Sequence, residues 1–107
     1  MSGIASLYAT FASDDEARRI GRTLVEERLA ACVNILGPCH SIFRWQGRIE
    51  ETQEFAAIFK VAAEQAEPAL KRIAELHSYE VPAAVVWPIE RSLAAYAEWV
   101  TEEAGGP

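Results

Sequence analysis

The side chains of this sequence that are able to do chemistry fall into a few short groups. His77-Ser78-Tyr79-Glu80 places an imidazole, a phenol and a carboxylate close together, Cys39-His40 places a thiol beside an imidazole, and Cys32 and Lys60 stand among apolar neighbours. Imidazole suits copper(II) and thiolate suits copper(I), so Cys39 with His40 is a candidate soft-metal pair. Adjacent residues of a strand point to opposite faces, which works against that pair. His77 ends a predicted helix, where the helix dipole favours a cation with no ligand present. Tyr79 and Glu80 would give it a small polar pocket, with Glu80 the only carboxylate near it in sequence. Lys60, between Phe59 and Val61, either holds an anion or carries its ammonium out to water along its apolar stem.

Other groups are weaker. Glu50, Glu51 and Glu54 resemble a carboxylate cluster, but on a strand Glu51 faces away from the other two. The chain has no glycine-rich phosphate loop, no Ser/His/Asp constellation and no HxxxH-type ligand spacing. Binding is therefore expected in preference to catalysis, with no cofactor required. The competing reading is a small cytoplasmic enzyme on the same scaffold, with Lys60 holding an anion and His77 donating a proton.

These side chains need elements to position them. Ile4 to Phe11 is rich in β-capable residues and predicts a first strand. Ser13 and Glu16 have capping-box spacing, and Ala17, Ile20, Leu24, Val25, Leu29 and Ala31 mark an apolar helix face, with Gly21 allowing close packing. Cys32 to Leu36 reads as a second strand, broken at Gly37-Pro38 and resumed from Ser41 to Trp45. Pro38 belongs at a bulge or an edge. Gln46-Gly47 predicts a turn into a third strand that places Ile49, Phe55, Ala57, Phe59 and Val61 on one face and Glu50, Thr52 and Glu54 on the other. Ala66 to His77 is a predicted helix with Pro68 in its first turn and Leu70, Ile73, Ala74 and His77 along one side. A loop over 77–82, a short buried strand from Ala83 to Trp87 and a last helix from Ser92 to Glu103, with Leu93, Tyr96, Ala97 and Val100 on its face, complete the pattern.

Strand, helix, strand, strand, helix, strand, helix is an α+β order. It matches a ferredoxin-like split βαβ sandwich with an extra C-terminal helix and a long central β-hairpin. Ile49 to Val61 alone would span about 43 Å when extended, against a diameter of about 34 Å for a compact domain of this length. The hairpin must overhang its own subunit unless it bends sharply. An overhanging strand with Phe55, Ile58 and Phe59 needs cover, which predicts a closed oligomer. Trp45, next to the turn, would then anchor in a neighbouring subunit or stack on a ligand. Trp87, Tyr96 and Trp99 have the spacings of core or interface residues. Cys32, entering a strand from a helix end, packs as a small inert side chain.

The 107 residues make one domain, half apolar and about a quarter charged, with ten basic and 16 acidic side chains for a net charge of −6. That balance excludes disorder. It also opposes binding to phosphate backbones and anionic membranes, so no nucleic acid and no membrane is expected as a partner. Arg18, Arg19, Arg22 and Arg28 are interspersed with acids and read as a solvated helix face. No apolar run approaches the roughly 20 residues of a membrane span. The N-terminus has neither the basic flank nor the apolar run of a secretion signal. Cys32 and Cys39 lie too far apart along extended chain to bridge and lack CxxC spacing. A cytoplasmic protein with free thiols is expected.

Three ordered motifs carry a family resemblance: Glu27-Arg28-Leu29-Ala30-Ala31-Cys32-Val33-Asn34-Ile35, Ser41-Ile42-Phe43-Arg44-Trp45-Gln46-Gly47 and His77-Ser78-Tyr79-Glu80-Val81-Pro82. With them the chain resembles the CutA family of divalent-cation tolerance proteins from the first strand to Trp99. The resemblance implies a tight homotrimer, similar in architecture to the PII signalling proteins, in which long hairpins pair between subunits. It implies a role in tolerance of copper and other divalent cations, and no established reaction. Together with the motifs, Cys32, Asn34, Ser41, Trp45, Lys60, His77, Tyr79 and Glu80 become the candidate lining of an inter-subunit cleft. Some copper-binding members carry a cysteine and two adjacent histidines where this chain has Ala9, Leu76 and His77. Only one ligand position is kept, so copper(II) is expected to bind weakly at His77, with Cys39 and His40 as the other candidates.

Overall fold

The structure is a computed structural model and describes residues 2–106. Its elements are β1 (Ile4–Phe11), α1 (Asp14–Glu26), β2 (Cys32–Trp45), β3 (Arg48–Ala62), a 3-10 turn (Ala63–Gln65), α2 (Ala66–Leu76), β4 (Ala84–Pro88) and α3 (Ala94–Glu103). The four strands form one sheet in the order β2-β3-β1-β4, each antiparallel to its neighbours. This is the expected ferredoxin-like arrangement, with α3 as the added helix.

Strand alternation sorts the sheet into two faces. Ala5, Leu7, Ala9 and Phe11 of β1 and Ala57, Phe59 and Val61 of β3 pack on Ala17, Ile20 and Leu24 of α1 and Ala69 and Ile73 of α2. Gly21 permits this closeness: a Cβ there would stand 3.0 Å from Val33 Cγ1. On the opposite face, Ile4 and Ala62 meet Val100 of α3 and Ala104 just after it, so α3 covers one end only. The rest of that face is bare within the chain, and Trp87, stacked on Tyr8 with ring centroids 5.3 Å apart, is 51% exposed.

Several expectations need correction. β2 is not broken at Gly37-Pro38; the pairing jumps from Ile35↔Ala57 to Gly37↔Ala56, leaving Leu36 as the extra residue of a bulge in one continuous strand. Gly37 takes φ +102 there. β2 is an edge strand and carries a bulge at this point, the two settings in which a sheet tolerates proline. In α2, Ala69 and Ile73 are buried, whereas Ala74 faces solvent. β4 is not a buried strand, because Val85 and Trp87 point to the bare face. Leu93 stands outside α3 and is 80% exposed.

The hairpin turns at Gln46 (φ 50) and Gly47 (φ 81), both left-handed as a two-residue turn of this hand requires. β1 ends its pairing at Phe11↔Phe55, so the outer part of β2 and β3 continues as a two-stranded ribbon. Every residue from 42 to 53 is exposed, and the molecule extends 44 Å along its longest axis against 25 and 22 Å across it. The overhang inferred from strand length is present.

Candidate functional site

Two separate groups of candidate residues emerge. The first lies where the hairpin tip passes the 77–82 loop. Phe43, Trp45, Gln46, Arg48 and Glu50 of the tip and Tyr79, Glu80 and Val81 of the loop line a cleft of about 740 Å³. Phe43 and Trp45 share it because residues two apart on a strand share a face. Of its lining, sequence reasoning had singled out Trp45, Tyr79 and Glu80 as ligand candidates. Arg48 and Phe43 were missed, although the hairpin register sets Arg48 opposite Trp45 and Phe43 opposite Glu50.

The loop wall is held by buried polar contacts. Tyr79 Oη donates to Glu54 Oε2 at 2.8 Å, tying the loop to β3. Burial first, then the bond to Glu54 and the nearby Glu16 charge, push the Tyr79 phenol up to about 12. Glu16, read from sequence only as half of a capping box, does more. Ser13 Oγ accepts from the Glu16 N–H at 3.1 Å, while the buried Glu16 carboxylate accepts from the backbone N–H groups of Ala12 at 3.1 Å and Ser78 at 2.7 Å. Burial by itself raises that carboxyl; its hydrogen bonds from Ser78 and Ala12 outweigh this and hold it below the ordinary value.

His77 is buried at the end of α2, stacked on Phe11 with centroids 5.1 Å apart. Its Nε2 donates to the Thr10 carbonyl at 2.8 Å and its Nδ1 accepts the Tyr79 N–H at 3.1 Å. The second contact requires a bare Nδ1, so the ring is neutral with its proton on Nε2. Both nitrogens are committed to backbone, which corrects two expectations at once. The ring is not a cation answering the helix dipole, and it has no lone pair free for a metal.

The second group lies on the bare face of the sheet. Cys32, Lys60, Ser6 and Trp87 are paired in register across β2, β3, β1 and β4, and Asn34 follows one row on, opposite Ile58. The Cys32 thiol lies 3.6 Å from Tyr96 Oη of α3, and burial, then Cys32, push that phenol up to about 12. Lys60 is thus on the opposite face from His77 and about 13 Å further along β1, counting Ser6 to Thr10. Within one chain the two cannot act on one small substrate.

The remaining candidates are dispersed. Cys39 Sγ sits 3.9 Å from Ser41 Oγ, while His40 points the other way and its Nε2 meets Glu51 Oε1 at 2.8 Å. Both cysteines are free. Among the described residues no three His, Cys, Asp or Glu side chains are grouped to hold a metal ion. With His77 committed and Cys39 and His40 on opposite faces, the donors named from the sequence do not meet one another within a single chain.

The sequence model of the CutA1 divalent ion tolerance protein family matches residues 5–103. The divalent-cation tolerance protein CutA of Archaeoglobus fulgidus is 42% identical over 96 residues, covering 90% of this chain and 93% of that protein. The protein of the same name from Thermus thermophilus is 45% identical over 97 residues, covering 90% and 93%. Among solved structures, the periplasmic divalent cation tolerance protein CutA from Archaeoglobus fulgidus superimposes with a TM-score of 0.91 at 40% identity over 94% of this chain and 98% of that one. The divalent cation tolerance protein from Thermus thermophilus does so at 0.92, with 39% identity over 95% and 99%.

Proposed function

The chain belongs to the CutA1 divalent ion tolerance protein family, and on that premise we propose that it acts as a homotrimer without enzymatic activity, binding a small ligand in clefts between subunits and signalling in the manner of PII proteins. The observation that carries this reading is the apolar surface left bare in a single chain. Leu36, Ile42, Ile49, Val85 and Trp87 are each more than 40% exposed, and they lie on the hairpin and on the open face rather than scattered. Both outer strands, β2 and β4, also keep one edge unpaired among the described residues. A head-to-tail contact that joins unlike surfaces closes into a ring when the rotation permits, which satisfies edge and face together.

The binding reading draws on chemistry as well. Tyr79 and Tyr96 are moved away from neutral pH and stay protonated as hydrogen-bond donors, the opposite of a base poised for proton transfer. Two free thiols suit a reducing cytoplasm, where we place the protein. Native mass spectrometry of untagged protein tests the reading, because it reports subunit number and any retained small molecule together. Three subunits are expected; a stable folded monomer at low micromolar concentration sinks the proposal.

Copper(II) is expected to bind loosely, at micromolar affinity or weaker, through surface carboxylates and the exposed His40. His77→Ala should leave that affinity unchanged in calorimetry, since neither nitrogen is available. Stoichiometric nanomolar binding that His77→Ala abolishes would reverse this conclusion. Nucleic acid should not bind at physiological salt, given a net charge of −6. Retention on a single-stranded RNA column at that salt would contradict it.

A further inference from the structure

Of the ten lysines and arginines, eight are exposed and only Arg72 and Lys60 are half-buried. Arg72 makes a two-pronged contact to Glu27, at 2.9 Å for each pair, and a third contact to Glu75. Lys60 has no carboxylate at salt-bridge distance and no side-chain hydrogen bond among the described residues. Its position makes this notable. β3 is an inner strand, and Lys60 sits between Ser6 of β1 and Cys32 of β2 on the face that α1 and α2 leave bare. Directly opposed residues in an antiparallel sheet project side by side, so the ammonium stem rises beside the Ser6 hydroxyl and the Cys32 thiol. Tyr96 Oη closes that end of the row from α3, 3.6 Å from the thiol. The Ser6 hydroxyl makes no hydrogen bond among the described residues.

We infer that Lys60, Ser6 and the Tyr96 hydroxyl form a binding site for a small oxyanion, a phosphate or carboxylate group carried by a small molecule. This rests on the assembly reading above in one respect, that trimer formation covers part of the bare face. Covering an inner-strand lysine removes its water, and a buried cation without a negative partner is strongly disfavoured. One cation with the Ser6 hydroxyl beside it, and the Tyr96 hydroxyl beyond Cys32 at the end of the row, matches an oxyanion, which accepts several hydrogen bonds and supplies the missing charge. The stacked rings of Trp87, in the same row on β4, and Tyr8, one row on along β1, offer an apolar flank for the body of such a molecule.

Inorganic phosphate is the probe. Titrated into the 15N-labelled protein, it should shift the amides of Ser6, Lys60 and Cys32 saturably, and Lys60→Met should weaken binding at least tenfold, with the subunit number unchanged in light scattering. Equal phosphate affinity in Lys60→Met overturns the site, as do shifts that never saturate or that centre on the exposed Arg18, Arg19 and Arg22. If Lys60→Met dissociates the assembly, the lysine's partner is a carboxylate of a second copy, and the small-molecule site is likewise rejected. A monomeric wild type that still binds phosphate at Lys60 would reject the trimer and keep the site.

Discussion

Trp45→Ala should weaken the assembly by about 2 kcal/mol per contact, the usual cost of removing a buried aromatic anchor, which is about 30-fold in a dissociation constant. Trp45 is 44% exposed in the single chain, at the tip of a ribbon whose residues from 42 to 53 all face solvent. A large aromatic placed there gains nothing from its own subunit beyond the cleft it shares with Tyr79 and Val81. Its apolar area must therefore be covered by a neighbour for the position to be stabilising. Light scattering over a dilution series reads the midpoint directly, with Arg91→Ala as an exposed control outside the ribbon. Identical midpoints for the two variants would remove the anchor role and leave the bare face to hold the subunits together.

Glu16→Ala should cost about 3 kcal/mol of folding stability, because it strands two backbone N–H groups that a buried carboxylate now satisfies, and charge-assisted hydrogen bonds are the stronger kind. Those N–H groups belong to Ala12, at the end of β1, and Ser78, in the loop that walls the cleft. The same carboxylate sets a pH dependence whose sign follows from its lowered folded-state value. A depressed carboxylate binds its proton less readily when folded than when unfolded, so its contribution is complete above the unfolded carboxylate value of about 4.3 and is lost as pH falls through the folded one. Urea midpoints should fall with acid in the wild type below that pH, and Glu16→Gln should show a shallower decline. Parallel acid profiles in the two proteins would show that Glu16 carries no such linkage.

Much of the fold was legible from residue order. Ser13 three residues before Glu16, Gly47 after Gln46 and the alternation of Ala57, Phe59 and Val61 are local signals, and each produced the cap, the turn or the face expected of it. The overhanging hairpin was also foreseeable, since strand length alone exceeds the width of a domain this small. The misread elements were those whose character depends on what lies beside them. β4 looked buried because its run is apolar, yet its Val85 and Trp87 belong to the sheet face that α1 and α2 leave bare. The Gly37-Pro38 interruption is absorbed by a bulge in β2, which lies at an edge of the sheet, where proline is tolerated.

The candidate site divided along the same line. Residue types and strand parity were enough to set Cys39 against His40 and to group the three motifs. Tertiary placement alone decided that both nitrogens of His77 are spent on Thr10 and Tyr79, that Glu16 reaches Ser78, and that Lys60 and His77 lie on opposite faces. The reason is physical. Caps, turns and alternation are fixed by interactions within a few residues, whereas the state of an imidazole or an ammonium depends on groups brought to it from distant parts of the chain. Thr10 and His77 are separated by 67 positions, and only the packing of α2 against the end of β1 brings carbonyl and ring to hydrogen-bonding distance.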